Sequence, residues 1–280
     1  MSESSKDPRS AGRAPRSGPP RGSGSRSSGR GSASRSGTSR GGSSSASDER
    51  VPPRAGEPEI AEDVTWYDLD RAARGELRSL PKELAERVGG HLAMAGILID
   101  SEPEQAREHA VVARRLASRV SVVREAAGLS AYACGDFETA LAEFRAYRRM
   151  SGDQSHLPLM ADCERGLGRP ERALALAATP EAGGLDVTVS RELRIVVAGA
   201  RSDLGQHDAA LSALEQDPAL TSEAVDVSLV RLRYAYAEAL SAADRKGEAE
   251  KWFALVAGQD VDAVTDAAER VDRPGNWPAE

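Results

Sequence analysis

Aromatic residues make up only 4% of this 280-residue chain, and cysteine occurs twice, at Cys134 and Cys163. Two thiols in helical stretches, with no CxxC spacing and no histidine cluster nearby, exclude a disulfide framework and argue against a zinc site. Buried thiols acting as small hydrophobes are the simpler reading. Long apolar runs are missing too. The longest in the body, about residues 92–99, is far shorter than the ~20 residues a membrane span needs. With no hydrophobic signal core at the N-terminus either, the expected location is cytoplasmic and away from membranes.

Signatures of catalysis are also absent. The nearest fragment to a phosphate loop, Arg245-Lys246-Gly247, lies in a helical turn without the upstream glycine. There is no HExxH, no GxSxG, and no strand pattern on which a nucleophile elbow could sit. The four histidines, His91, His109, His156 and His207, do not cluster in sequence, and so read as surface or groove residues rather than metal ligands. Asp260 and Asp262 suit a solvated helix start, where acids favour the dipole. No enzyme, cofactor or metal is expected.

What is present divides the chain in two. Residues 1–47 hold 17 Ser and 9 Gly, with no Ile, Leu, Val, Phe, Tyr or Trp, so nothing there can offset the entropy of ordering. The same residues carry nine bases against two acids, leaving 28 bases and 42 acids for the remainder. A basic arm is thus attached to an acidic body. Pro52, Pro53 and Pro58 among charges extend the arm as a linker, and order is expected from Val64. The organisation read from the sequence is a disordered arm and linker over 1–63, a folded body over 64–272, and a disordered tail over 273–280.

Within the body an alanine recurs early in successive second helices, at Ala106, Ala140, Ala173, Ala210 and Ala249, with spacings of 34, 33, 37 and 39. Twelve residues before the anchor lie Gly128, Ala161, Ala198 and Ala237, with Met94 breaking the pattern. Five before it come Gly135, Gly168 and Gly205, suited to the left-handed residue that ends a helix. Four after it, Phe144, Leu214 and Phe253 can fill the seam, with Ala110 and Ala177 in the other units. The pattern predicts helices near 85–99, 103–119, 121–134, 137–150, 156–167, 170–178, 188–204, 207–215, 223–243 and 246–257, with capping helices over 66–77 and 261–272.

Gly128, Tyr132, Gly135, Asp136, Phe137, Ala140 and Phe144, echoed by Leu167-Gly168-Arg169-Pro170-Glu171-Arg172-Ala173-Leu174, resemble the tetratricopeptide repeat (TPR) family over roughly residues 87–258. The family's usual tryptophan and closing proline are missing from their places. Similar stretches occur in repeat proteins of actinobacteria. The resemblance implies an all-α fold: a right-handed superhelical stack of about five TPR-like helical hairpins with terminal capping helices. It supplies no activity.

Stacked hairpins create a groove lined by the first helix of each pair. By register with the family's groove positions, His91, Glu125, Leu129, Tyr132, Asp162, Arg165, Tyr234 and Glu238 are expected to face it. A chaperone-tail adaptor is disfavoured, because such grooves resemble a ring of Lys and Asn and this chain's one asparagine is Asn276. A second candidate surface is an anion-binding edge of Arg124, Arg145, Arg149, Arg191, Arg194, Arg231 and Arg233. Helix dipoles do not explain cations in first turns such as Arg124, Arg191, Arg194, Arg231 and Arg233. The leading expectation is a non-catalytic scaffold or adaptor for a protein or peptide partner. The alternative is an RNA- or ribonucleoprotein-associated factor using that edge and the arm, whose arginines among Gly and Ser resemble RGG/RS segments. Against the alternative, the arm has no aromatics to stack on bases, and the chain as a whole has 33 Arg to 4 Lys.

Overall fold

The computed structural model describes residues 56–272; the basic arm through residue 55 and the tail over 273–280 lie outside them. Every regular element among the described residues is helical. After a 3-10 turn at Trp66–Asp68 come α1 (Arg71–Leu77), α2 (Lys82–Leu98), α3 (Pro103–Ala117), α4 (Ser121–Ala133), α5 (Phe137–Ser151), α6 (Leu157–Gly166) and α7 (Pro170–Ala177). A second 3-10 turn, Pro180–Gly184, precedes α8 (Val187–Asp203), α9 (His207–Glu215), α10 (Val227–Ala242), α11 (Lys246–Gln259) and α12 (Ala267–Asp272).

Local chemistry sets these limits. Asp70, Asp136, Asp186 and Asp226 each accept hydrogen bonds from backbone N–H groups in the first turn of α1, α5, α8 and α10. Pro103 and Pro170 open α3 and α7, where a missing N–H costs nothing. The first helices α4, α6, α8 and α10 all end alike. The residue five before the alanine anchor has positive φ, at Gly135, Gly168, Gly205 and Asp244. The next N–H then returns to the carbonyl five residues back, at 2.8–2.9 Å, from Asp136, Arg169, Gln206 and Arg245.

Each helix packs on the next, so α2/α3, α4/α5, α6/α7, α8/α9 and α10/α11 are hairpins; α6, α8 and α10 also touch one another in order. All five alanine anchors are buried, as are Gly128, Ala161, Ala198 and Ala237. The close approach at Gly128 is to Phe144, whose Cε1 would lie 2.7 Å from an added Cβ. The apolar core forms four clusters in chain order, each built from helices close in sequence.

Four boundaries differ from the sequence expectation. The packed chain starts before Val64, because the Glu57 side chain and Ile60 already lie against α2. The helix expected over 66–77 is split by Asp70, whose carboxylate caps α1. α10 begins at Val227 rather than near residue 223, since Asp226 caps it. The terminal helix shrinks to Ala267–Asp272. Here Asp260 is no helix start: it ends α11, and its carboxylate accepts from the N–H groups of Val264 and Thr265, both at 2.8 Å, folding 260–265 into a turn.

Candidate functional site

The first helices are tied side by side by polar bridges that also shape their open face. Tyr132 on α4 donates its hydroxyl to Asp162 on α6 at 2.5 Å. Arg165, one turn on, donates to Asp162 at 2.8 Å and through two nitrogens to Asp203 on α8, at 2.8 and 3.2 Å. Gly199 lets the guanidinium lie flat on α8; an added Cβ there would be 2.6 Å from Arg165 Cζ. Burial, reinforced by the bond to Asp162, holds the Tyr132 hydroxyl well above the ordinary tyrosine range. Burial disfavours the charge of Arg165, but its two carboxylates outweigh that and keep it more firmly protonated than usual.

Beyond Arg165 the surface opens into a pocket of about 1190 Å³. Residues of α8 and α10 form its walls, with Ser202, Arg231, Tyr234 and Glu238 among them, and Asp266 and Arg270 close one side. That side is latched. Tyr234 donates to Asp266, while Arg270 pairs with Glu238 at 3.3 Å and with Asp266 at 3.1 Å. Burial, then the bond to Asp266, raises the Tyr234 hydroxyl beyond its usual range. Clefts for small ligands usually enclose ~300–1,000 Å³. This one is larger, open, and lined by polar and apolar groups alike.

Of the eight residues expected to line a groove, Arg165, Tyr234 and Glu238 border this pocket. Tyr132 and Asp162 continue the polar line beside it. Glu125 pairs with His156 at 2.7 Å, and Leu129 is half-buried against the cluster around Phe144. His91 does not face a groove. It is buried between α2 and α3, with its Nδ1 3.0 Å from that of His109.

The seven edge arginines do not make one exposed surface. Arg191 is buried on Asp217 at 3.0 Å, with Ser228 beside it. Arg233 is buried and holds the 219–224 turn through the carbonyls of Leu220 (3.0 Å), Ser222 (2.6 Å) and Ala224 (3.1 Å). Arg124 bonds Glu143 at 2.7 Å and the Ser118 carbonyl at 2.8 Å, and Arg145 bonds Glu164 at 2.8 Å. Arg231 pairs with Glu192 at 3.1 Å; Arg149 is exposed and Arg194 half-buried. Buried carboxylates claim Arg124, Arg145 and Arg191, and backbone carbonyls claim Arg233, so these first-turn and edge cations have partners within the chain, whereas Arg149 and Arg231 remain exposed.

No group of three or more His, Cys, Asp or Glu with metal-site geometry occurs among the described residues. Cys163 is buried, and that burial pushes its thiol up to about 12, far from a reactive thiolate. No helix among the described residues is long and apolar enough to cross a membrane. No family model matches the chain, and no curated protein matches it either.

Proposed function

We propose that the chain is a non-catalytic TPR-like helical scaffold, and that its pocket between α8, α10 and α12 takes a peptide segment of a protein partner. In this reading the hairpins stack as a right-handed superhelix and their first helices line the inner face. The observation that carries it is the pocket itself. Its size exceeds a small-ligand cleft, and it lies where three residues chosen from the TPR register, Arg165, Tyr234 and Glu238, come together. Its charges are largely neutralised within the chain, through Arg165 with Asp203, Arg231 with Glu192, and Arg270 with Glu238. Such a lining suits mixed polar and apolar contacts better than a strong anion.

A photo-crosslinking residue at Ser202, inside the pocket, is compared with one at Val111, exposed on α3. In extracts of the source cells, position 202 should capture a discrete protein that position 111 does not. Capture should survive nuclease and be lost on Arg231→Glu, which changes an exposed lining residue. Equal capture at both positions, or capture abolished by nuclease, overturns the reading.

A further inference from the structure

The first hairpin carries a site for a carboxylate, and the chain fills it itself. Glu57 lies on an irregular strap ahead of the 3-10 turn, yet its side chain is only 1% exposed. Arg87 of α2 donates to one of its oxygens and Arg115 of α3 to the other. His91 Nε2 stands 3.9 Å away, and His109 lies behind His91. Three residues on, Ile60 reaches the backbone of α2, where a Cβ on Gly90 would be 2.9 Å from its Cδ1.

The same cradle recurs inside the hairpins, filled differently. Glu143 of α5 is buried against Arg114 and Arg124, at 2.9 and 2.7 Å. Glu164 of α6 is buried against Arg145 and Arg169, at 2.8 and 3.7 Å. In both, the carboxylate belongs to a helix locked into the core. At the first hairpin it comes from a segment without regular structure. The backbone hydrogen bond seen among the described residues of 58–64 is the short turn from Val64 N to Ala61 O. Among the described residues the strap meets α2 and α3 through one carboxylate, Glu57, and one aliphatic side chain, Ile60. These are the contacts with which a separate peptide would bind.

We propose that Arg87, Arg115 and the Gly90 surface form a receptor for an acidic peptide segment, a glutamate followed three residues later by an aliphatic side chain. The strap at 56–62 occupies this receptor in cis and is displaced when such a segment binds in trans. Two guanidiniums from different helices fix the carboxylate plane, which selects a carboxylate over a spherical anion. The short tether gives Glu57 an effective concentration on the order of millimolar, so the strap wins against dilute competitors and yields to a concentrated or multivalent one.

The test uses the full chain and a synthetic peptide copying residues 56–62, Gly-Glu-Pro-Glu-Ile-Ala-Glu. Glu57→Ala should lower the melting temperature, and sodium acetate should restore it further than sodium chloride at equal ionic strength. The peptide should bind Glu57→Ala at least ~tenfold more tightly than wild type, by the effective-concentration argument. A peptide with Gln in place of its first Glu should bind neither. Absence of acetate rescue together with absence of peptide binding, or equal binding of the Gln peptide, overturns the proposal and leaves the strap as a fixed cap. Should Glu57→Ala not fold, the wild type decides. Excess peptide should speed hydrogen exchange across 57–63 and the Gln peptide should not, and unchanged exchange with both overturns the proposal.

Discussion

Four first helices close on a left-handed residue, at φ near 70° in Gly135, Gly168 and Gly205, and at 59° in Asp244. Left-handed backbone costs most L-residues ~1–2 kcal/mol, and Asp somewhat less. Asp244→Gly is therefore expected to stabilise the fold by about 0.5–1 kcal/mol, because the pair lost with Lys246 is exposed and worth little. A chemical-denaturation midpoint that stays or falls would refute this. The His91–His109 pair makes the opposite kind of statement, about pH. Burial, then the neighbouring His109, lowers His91 to about 4, and burial lowers His109 as well. Since the folded state resists the proton that the unfolded chain accepts from pH ~6.5 downward, stability should fall as pH drops from about 6.5 to 4 and level off below. The expected loss from His91 is about 3 kcal/mol, at 1.36 kcal/mol per unit. Carboxylates held low, such as Asp136 and Asp226, act only below their ordinary range near 3.8, so the windows separate. Urea midpoints across this range should be flatter for His91→Leu than for wild type; matching slopes would mean another group is responsible. Neither histidine's role was legible in the sequence. Separation by 18 positions gives no sign that two imidazoles meet. The arginines misled for a related reason: their helical positions are visible, while the buried Glu143 or Asp217 that claims them is set by packing between helices.

At the scale of elements, periodicity made the hairpins readable. An alanine every 33 to 39 residues, with a small residue twelve before and a turn residue five before, fixes where two helices touch and where the chain reverses. Such signals are local, so α3 through α9 start and end close to their expected positions. The ends were harder. The strap before Val64 presents four acids and one isoleucine around Pro58, too little apolar pattern to announce burial, and Glu57 and Ile60 find their partners on α2 and α3. Removal of residues 1–63 is accordingly not neutral. It leaves Arg87, with a side chain 8% exposed, without the Glu57 carboxylate and uncovers Gly90. Breaking a buried pair from one side costs ~3–5 kcal/mol, and water reaching the vacated site should reduce this to about 2–4 kcal/mol. A thermal melt of that truncation within a degree of the full chain would show that the strap contributes no stability.

Across the described body, the four apolar clusters follow the chain, from the one around Leu77 and Val88 to the one around Leu240 and Phe253. Leu176 packs against two of them, and the polar bridges from Tyr132 to Asp203 and the contacts between neighbouring helices join the rest. In such an arrangement stability is roughly a sum of neighbouring interfaces, so damage at one end should spread only part of the way. Phe253, with no exposed surface, packs edge-on against Tyr234 at 5.6 Å and sits beneath Arg270. Phe253→Ala should cost about 3–5 kcal/mol by opening a cavity. Hydrogen exchange resolved by peptide should then show protection falling across α10, α11 and α12, together with loss of the latch that closes the pocket. α2 to α5, whose clusters share no residue with that of Phe253, should keep nearly wild-type protection. Crosslinking through position 202 should fall in the same variant, since Tyr234 and Arg270 both depend on this packing. Uniform loss of protection from α2 to α12 would mean that the clusters unfold as one unit, and the pocket could then not be weakened apart from the rest of the body.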